Sequence, residues 1–201
     1  MSLEIPSHDS HRDQFIMTQH GPWFINSSAD VYSDPWLSVR CDQVTRPDGK
    51  PGTHSVVTIK PGVSVLAMDE DQNVYLTDEF HYAIGRDSLE TVSGGIDGEE
   101  SPEQAARREL QEELGLLAEE LIPLGTVDPF TSSLYSPTKL FLARGLTETE
   151  TNPDGTELIR RIQMPFAEAV EKVMSSEITH APSGILILKT ERWLRETKAK
   201  Q

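Results

Sequence analysis

Three glutamates, Glu109, Glu112 and Glu113, recur at positions i, i+3 and i+4, and no other feature of the chain constrains its fold as tightly. That spacing puts three carboxylates on one face of a helix. Local signals mark out the helix itself. Ser101-Pro-Glu-Gln104 supplies an N-cap, a proline at the first helical position and a glutamine that completes a capping box. Gly115 is a natural terminator, and Ala106, Leu110 and Leu114 form an apolar stripe at i, i+4 and i+8. The spacing therefore predicts a helix over residues 102–114. Like charges at these spacings destabilise a solvated helix by about a few tenths of a kcal/mol per pair, and more when desolvated. An oxygen-ligand cation such as Mg²⁺ or Mn²⁺ relieves that cost, and a cation held there calls for an anion such as phosphate. Arg108 precedes Glu112 by four residues and can orient its carboxylate. Gly94-Gly95 and Gly98 form a loop leading into the helix, where backbone atoms can approach a ligand closely.

Charge narrows the partners. The formal net charge is −15 over 201 residues, so bulk electrostatics repel nucleic acid and anionic membrane, and a polyanionic substrate must be met by local cations. The length suits one domain, or one domain with a small extension. A single cysteine, Cys41, excludes an internal disulfide, fits a reducing compartment and reads as a small buried hydrophobe. No stretch approaches 18 apolar residues, and the opening MSLEIPSHDSHRDQ lacks a charged-then-apolar signal pattern. The expected localisation is cytoplasmic.

Residues 1–33 read as polar and irregular, with Trp23 and Phe24 as isolated apolar anchors. Runs rich in β-branched and aromatic residues follow at 36–44, 54–60, 63–68 and 74–80. Turn signals separate them: Arg46-Pro-Asp-Gly49, Pro61-Gly62 and residues 69–73. Beyond the helix, further strands are expected at 121–127, 139–143 and 158–164, with loops at Thr131-Ser-Ser133 and 148–155. Apolar spacing of period 3.6 predicts helices over 166–174 and 183–196. This order suggests a sheet covered by helices on both sides.

Taken together, Gly94, five residues, Glu100, seven residues, Arg108-Glu109-Leu110, Gln111, Glu112-Glu113, Leu114 and Gly115-Leu116 resemble the Nudix box, with no fixed position missing. Seven fixed positions match by chance with a probability on the order of 10⁻⁸ to 10⁻⁹ per starting point. The resemblance implies an α/β fold, an α/β/α sandwich around a mixed sheet. It is joined here to a small N-terminal β-rich extension, with residues 1–58 as a dimerisation segment and 59–201 as the hydrolase domain. It also implies cleavage of nucleoside diphosphates linked to another moiety, with Mg²⁺ or Mn²⁺ as cofactor. Glu109, Glu112, Glu113 and the Ser93 carbonyl would bind metal. Glu100 would support the loop or reach an additional metal, and Arg108 would orient the carboxylates.

More weakly, residues 23–196 are similar to the ADP-ribose pyrophosphatase branch. The likeness is carried by Asp42-Gln-Val44 with Gly49, Lys60-Pro-Gly-Val63, Glu90 four residues before the box, and Met164-Pro-Phe-Ala-Glu-Ala169. It implies a homodimer that exchanges N-terminal strands, and an adenine stacked on an aromatic ring, for which Trp23 and Trp36 are available. Gly94 and Glu90 fall among the expected substrate contacts. Where the branch often has Gln-Tyr-Arg, this chain has Glu79-Phe-His81, so His81, or else Arg86 or Arg40, is the expected phosphate contact. Residues 128–137 lack the branch's common Pro-Gly, which leaves GDP-mannose or another nucleotide sugar open beside ADP-ribose. A general base is expected in the loop Asn152-Pro-Asp-Gly-Thr-Glu157, with Glu157 first, Asp154 second, and Glu112 as a further candidate. A non-catalytic nucleotide-sensing module is the competing reading; the undamaged box and the acidic charge weigh against it.

Overall fold

Backbone pairing, more than burial, builds the start of the chain. The structure, a computed structural model, describes residues 17–151 and 158–199, which fall into two compact units parting between Val57 and Thr58. In the first unit β1 (Thr18–His20), β2 (Trp23–Ser33), β3 (Leu37–Thr45) and β4 (Pro51–Ile59) lie side by side in chain order. β1 and β2 correct the expectation of an irregular start for residues 17–33, whereas residues 1–16 lie outside the described residues. The eleven residues of β2 are mostly exposed and show no alternation to read, yet they pair antiparallel with β3 from Phe24↔Thr45 to Ser33↔Ser38. A ladder needs only peptide groups, so small polar residues such as Ser27 and Ser28 serve in it. The turns are chemically specified. Asp34 accepts the N–H groups of Trp36 and Leu37, both at 2.8 Å, and Gly49 closes the expected Arg46–Gly49 turn at φ +78°. Cys41, on β3, is half-buried rather than part of a core.

The second unit holds β5 (Gly62–Met68), β6 (Asn73–His81), β7 (Arg86–Glu90), β8 (Val92–Gly95), α1 (Pro102–Leu114), β9 (Leu116–Val127), β10 (Leu134–Tyr135), β11 (Thr138–Glu148), β12 (Arg160–Pro165), α2 (Phe166–Met174) and α3 (Ala181–Lys198). Among the described residues a mixed sheet runs β12-β6-β5-β11-β9, with β7 added to β6 and β8 to β5. β5 and β11 are parallel and its other pairings antiparallel. Strands β7 and β8 were not foreseen. They are short, and the chain changes partner strand between them.

Alternation along the central strands divides the core in two. Val63, Val65, Ala67 and Phe141 pack with Ala105, Ala106, Leu110 and Leu114 of α1. Leu66, Met68, Leu140 and Leu142 pack with Phe166, Ala169, Leu186 and Ile187 of α2 and α3. Both faces of β5 are therefore dry, which is why it reads as a continuous apolar run. The α/β sandwich is thus observed. No helix among the described residues is long and apolar enough to cross a membrane.

The expected caps of α1 are present. Ser101 Oγ accepts from the Gln104 N–H at 3.2 Å, and the Gln104 side-chain Oε1 accepts from the Ser101 N–H at 2.7 Å. Gly115 ends the helix in the left-handed conformation at φ +63°, and a Cβ there would meet the Thr149 carbonyl oxygen at 2.7 Å. Strain and clash combine at this position. Gly115→Ala should destabilise the protein by about 2 kcal/mol, a fall of roughly 4–8 °C in Tm for a chain of this size. Thermal unfolding followed by circular dichroism checks it; an unchanged midpoint would mean the helix end is not held as described.

Candidate active site

One guanidinium ties the glycine loop to the helix. Arg108 donates from Nη2 to the Gly95 carbonyl oxygen at 2.9 Å and to Glu100 Oε1 at 2.7 Å, and from Nε to Glu100 Oε2 at 3.2 Å. Its Nη1 donates to Glu109 Oε1 at 2.7 Å and to Glu112 Oε2 at 3.1 Å. The hydrogen bond to Glu100 first, then those to Glu109 and Glu112, raise the guanidinium pKa against the opposing effect of burial. Glu100 is held below the usual carboxylate range chiefly by Arg108, and the Asp97 N–H donates to it at 2.7 Å. The expected Arg108–Glu112 pair is therefore part of a wider set.

Gly94 is required by its neighbour. A Cβ at this position would run into the Glu109 carboxylate. Ser93 pairs with Ser64, and Gly94 with Val63, across the β8–β5 ladder. Glu112 is one-third exposed. Glu113 borders a cavity of about 600 Å³ shared with Leu114, Thr149, Glu150, Thr151, Ile159 and Arg161. Among the described residues no three His, Cys, Asp or Glu side chains stand ready around a common metal centre; Glu109 and Glu112 converge on Arg108 instead. As a donor set, the glutamate carboxylates and the loop carbonyls are all oxygen, which suits a hard divalent cation rather than a thiophilic one.

A second cluster surrounds Glu90, the last residue of β7 and only 9 % exposed. His81 Nε2 lies 3.1 Å from Glu90 Oε1, and His180 Nδ1 lies 2.9 Å from Oε2. Burial pushes this carboxyl up, but the hydrogen bond and charge of His180, the Ser88 hydroxyl and the charge of His81 outweigh it, leaving the pKa below the ordinary value. His81 is thus committed to a carboxylate. Arg86 donates to Oγ1 of Thr179, the residue before His180, at 2.8 Å, and to the Asp87 carbonyl oxygen at 3.2 Å. In the N-terminal unit Arg40 is held by Asp42 at 2.9 and 3.1 Å. Trp23 lies against His54 with ring centroids 5.9 Å apart, and Trp36 is 73 % exposed.

The structure therefore brings together Ser93, Gly94, Glu100, Arg108, Glu109 and Glu112, and separately His81 and Glu90. Asp154 and Glu157 lie outside the described residues. Reading the sequence missed Lys60, whose Nζ is 2.6 Å from Asp97 Oδ1 and whose aliphatic chain a Cβ on Gly95 would meet at 3.5 Å. It also missed His180. Neither has a local signature, because each meets its partner only through the fold.

Residues 58–182 match the NUDIX domain, and residues 22–57 match the nucleoside diphosphate sugar hydrolase N-terminal domain. The chain is 31 % identical over 169 residues to the ADP-ribose pyrophosphatase of Mycobacterium tuberculosis, covering 80 % of each protein. It is 26 % identical over 161 residues to the ADP-ribose pyrophosphatase of Bacillus subtilis, covering 78 % of this chain and 86 % of that one. A crystal structure of an ADP compounds hydrolase superposes with a TM-score of 0.76 at 21 % identity, covering 86 % of this chain and 94 % of that one, a likeness of fold.

The Glu90 cluster has a pH signature. Its folded pKa is depressed, so the carboxylate contributes stability above the ordinary value of 4.5 and loses it as pH falls through the lowered one. Glu90→Gln should cost about 1–3 kcal/mol at neutral pH. The gap to the parent protein should close as pH falls through the lowered pKa of Glu90. Urea unfolding at a series of pH values measures it, and a gap independent of pH would contradict the charged pairing.

Proposed function

The chain belongs to the Nudix family of hydrolases, with ADP-ribose pyrophosphatases among its relatives, and from that premise we propose that it hydrolyses the pyrophosphate bond of ADP-ribose or a related nucleoside diphosphate sugar, with Mg²⁺ or Mn²⁺. The observation that carries the reading is the contact of Gly94 with the Glu109 carboxylate, beside an arginine that gathers Glu100, Glu109 and Glu112. The match of residues 22–57 to an N-terminal domain of nucleoside diphosphate sugar hydrolases supports the substrate class.

On this reading Glu109, Glu112, Glu113 and the Ser93 carbonyl hold the cation. A divalent ion supplies Lewis acidity toward phosphate oxygens and lowers the pKa of a bound water. Arg108 keeps the carboxylates oriented and the loop closed on the helix. A carboxylate takes the proton from the attacking water: Glu157, with Asp154 and Glu112 as the other candidates. Lys60 is half-exposed and has an exposed partner in Asp97, so it is free to meet substrate phosphate where the overall charge of −15 is otherwise repulsive. Trp23 and Trp36 offer flat faces to a nucleobase, and the N-terminal unit is the proposed contact with a second copy.

A panel of nucleotide sugars, incubated with and without Mg²⁺ and read out by product identity, tests the reaction. ADP-ribose should give AMP and ribose 5-phosphate, and only with the metal. Glu113→Gln should lower kcat by about 100-fold or more while the unfolding midpoint holds. Near-full kcat in that variant would remove Glu113 from the metal set.

A further inference from the structure

Strand β8 lies between two different environments. Val92 joins the core on the α1 side, and Gly94 faces the Glu109 carboxylate there. Ser93, between them, sends its hydroxyl the other way, donating to the Thr91 carbonyl oxygen at 2.9 Å, with Ser64 Oγ 3.3 Å from its oxygen. On that side Ser64, Thr91 and Ser183 are all 0 % exposed. Ser64 Oγ is 2.6 Å from Thr91 Oγ1, which is 3.0 Å from Ser183 Oγ. Ser183 Oγ is in turn 2.8 Å from His180 Nδ1, the atom that meets Glu90.

Thr91 is the joint of this arrangement. It lies between β7, which pairs with β6, and β8, which pairs with β5. At the point where the chain changes partner strand, the Thr91 N–H is taken by Ser183 Oγ of α3 at 2.9 Å. A buried N–H left without an acceptor costs about 1–3 kcal/mol, so the crossing point is fixed to the first turn of α3. It lies two residues before Ser93.

Ser183, His180 and Glu90 superficially suggest a nucleophile, base and acid. Their geometry excludes it, because Ser183 and Glu90 both face the same ring nitrogen, and no substrate reaches a fully buried hydroxyl. Three apolar side chains would pack here without any demand on geometry. Hydroxyls satisfy one another only in one arrangement, and so specify it.

We propose that Ser183 and Thr91 are positioning residues for the cation site: by fastening the β7–β8 crossing to α3 they set the backbone that presents the Ser93 carbonyl beside Glu109. The proposal rests on the reading of Ser93 as a metal-binding carbonyl. It assigns to α3, far along the chain from the box, a part in metal affinity rather than in substrate affinity.

Calorimetric titration of the full chain with Mn²⁺ tests it, alongside the Mg²⁺ concentration for half-maximal hydrolysis and the KM for nucleotide sugar. Thr91→Val and Ser183→Ala should each weaken Mn²⁺ binding by about tenfold or more and raise the half-activating Mg²⁺ concentration by a similar factor. KM at saturating metal should stay within about twofold, since no substrate contact is removed. Thr91→Ser, which keeps the hydroxyl, should restore parental Mn²⁺ affinity. Leu194→Ala on α3 removes core packing without touching the network, and should lower Tm while leaving Mn²⁺ affinity unchanged. If Ser183→Ala does not fold, Thr91→Val carries the comparison. Parental Mn²⁺ affinity in the hydroxyl variants, with Tm lowered as in Leu194→Ala, would overturn the proposal. A parent protein that binds no Mn²⁺ would instead remove the reading on which it rests.

Discussion

The bonds from Arg108 to Gly95, Glu100, Glu109 and Glu112 are the constraint on which the site depends. Without a cation among them, neighbouring carboxylates on one helix face repel, and the repulsion grows as the site dries. The guanidinium meets that repulsion with a planar fork that reaches two elements at once. A lysine at the same position would offer a point charge and could not span loop and helix together. Arg108 is therefore both a counter-charge and a geometric tie.

That tie works only because the surrounding fold holds both its ends. α1 is fixed by its apolar stripe in the core and by caps at Ser101 and Gly115. The loop is fixed by β8, which pairs with β5 at the centre of the sheet. Burial on both faces of β5 makes the platform rigid, and the glycine at position 94 lets a carboxylate rest against its backbone. Each part is ordinary alone. The site arises where helix, loop and central strand meet at close range.

What could be read from the sequence divides along the same line. The α1 helix, its caps and its carboxylate face were legible because capping, periodicity and termination are local, each decided within a few residues. So were β5 and β6, whose apolar runs stand between clear turn signals. β2 was not, since its side chains are mostly exposed and its pairing rests on peptide groups common to every residue. β7 and β8 are too short to show a period. Lys60 with Asp97, and His180 with Glu90, join residues that only the tertiary fold brings together. His81, which the sequence presented as a phosphate contact, lies opposite Arg86 in the β6–β7 ladder, yet its ring meets the Glu90 carboxylate at 3.1 Å.

These contacts also decide how a chain of strongly negative charge can receive a polyphosphate. The cations nearest the box are not equivalent. Arg108 has its donors committed to carboxylates and a carbonyl, so it cannot turn to an incoming anion without releasing them. Lys60 pairs with Asp97, with both side chains largely in solvent, where an ion pair contributes no more than about 1 kcal/mol. Exchanging Asp97 for phosphate therefore costs little. On the reading proposed above, a divalent ion entering the cluster competes with Arg108 for Glu109 and Glu112, so its affinity reflects the difference between two good electrostatic partners. On the same reading, one guanidinium against three carboxylates leaves the cluster negative without metal, so the divalent ion is what lets a diphosphate approach, and metal and anion favour each other's binding.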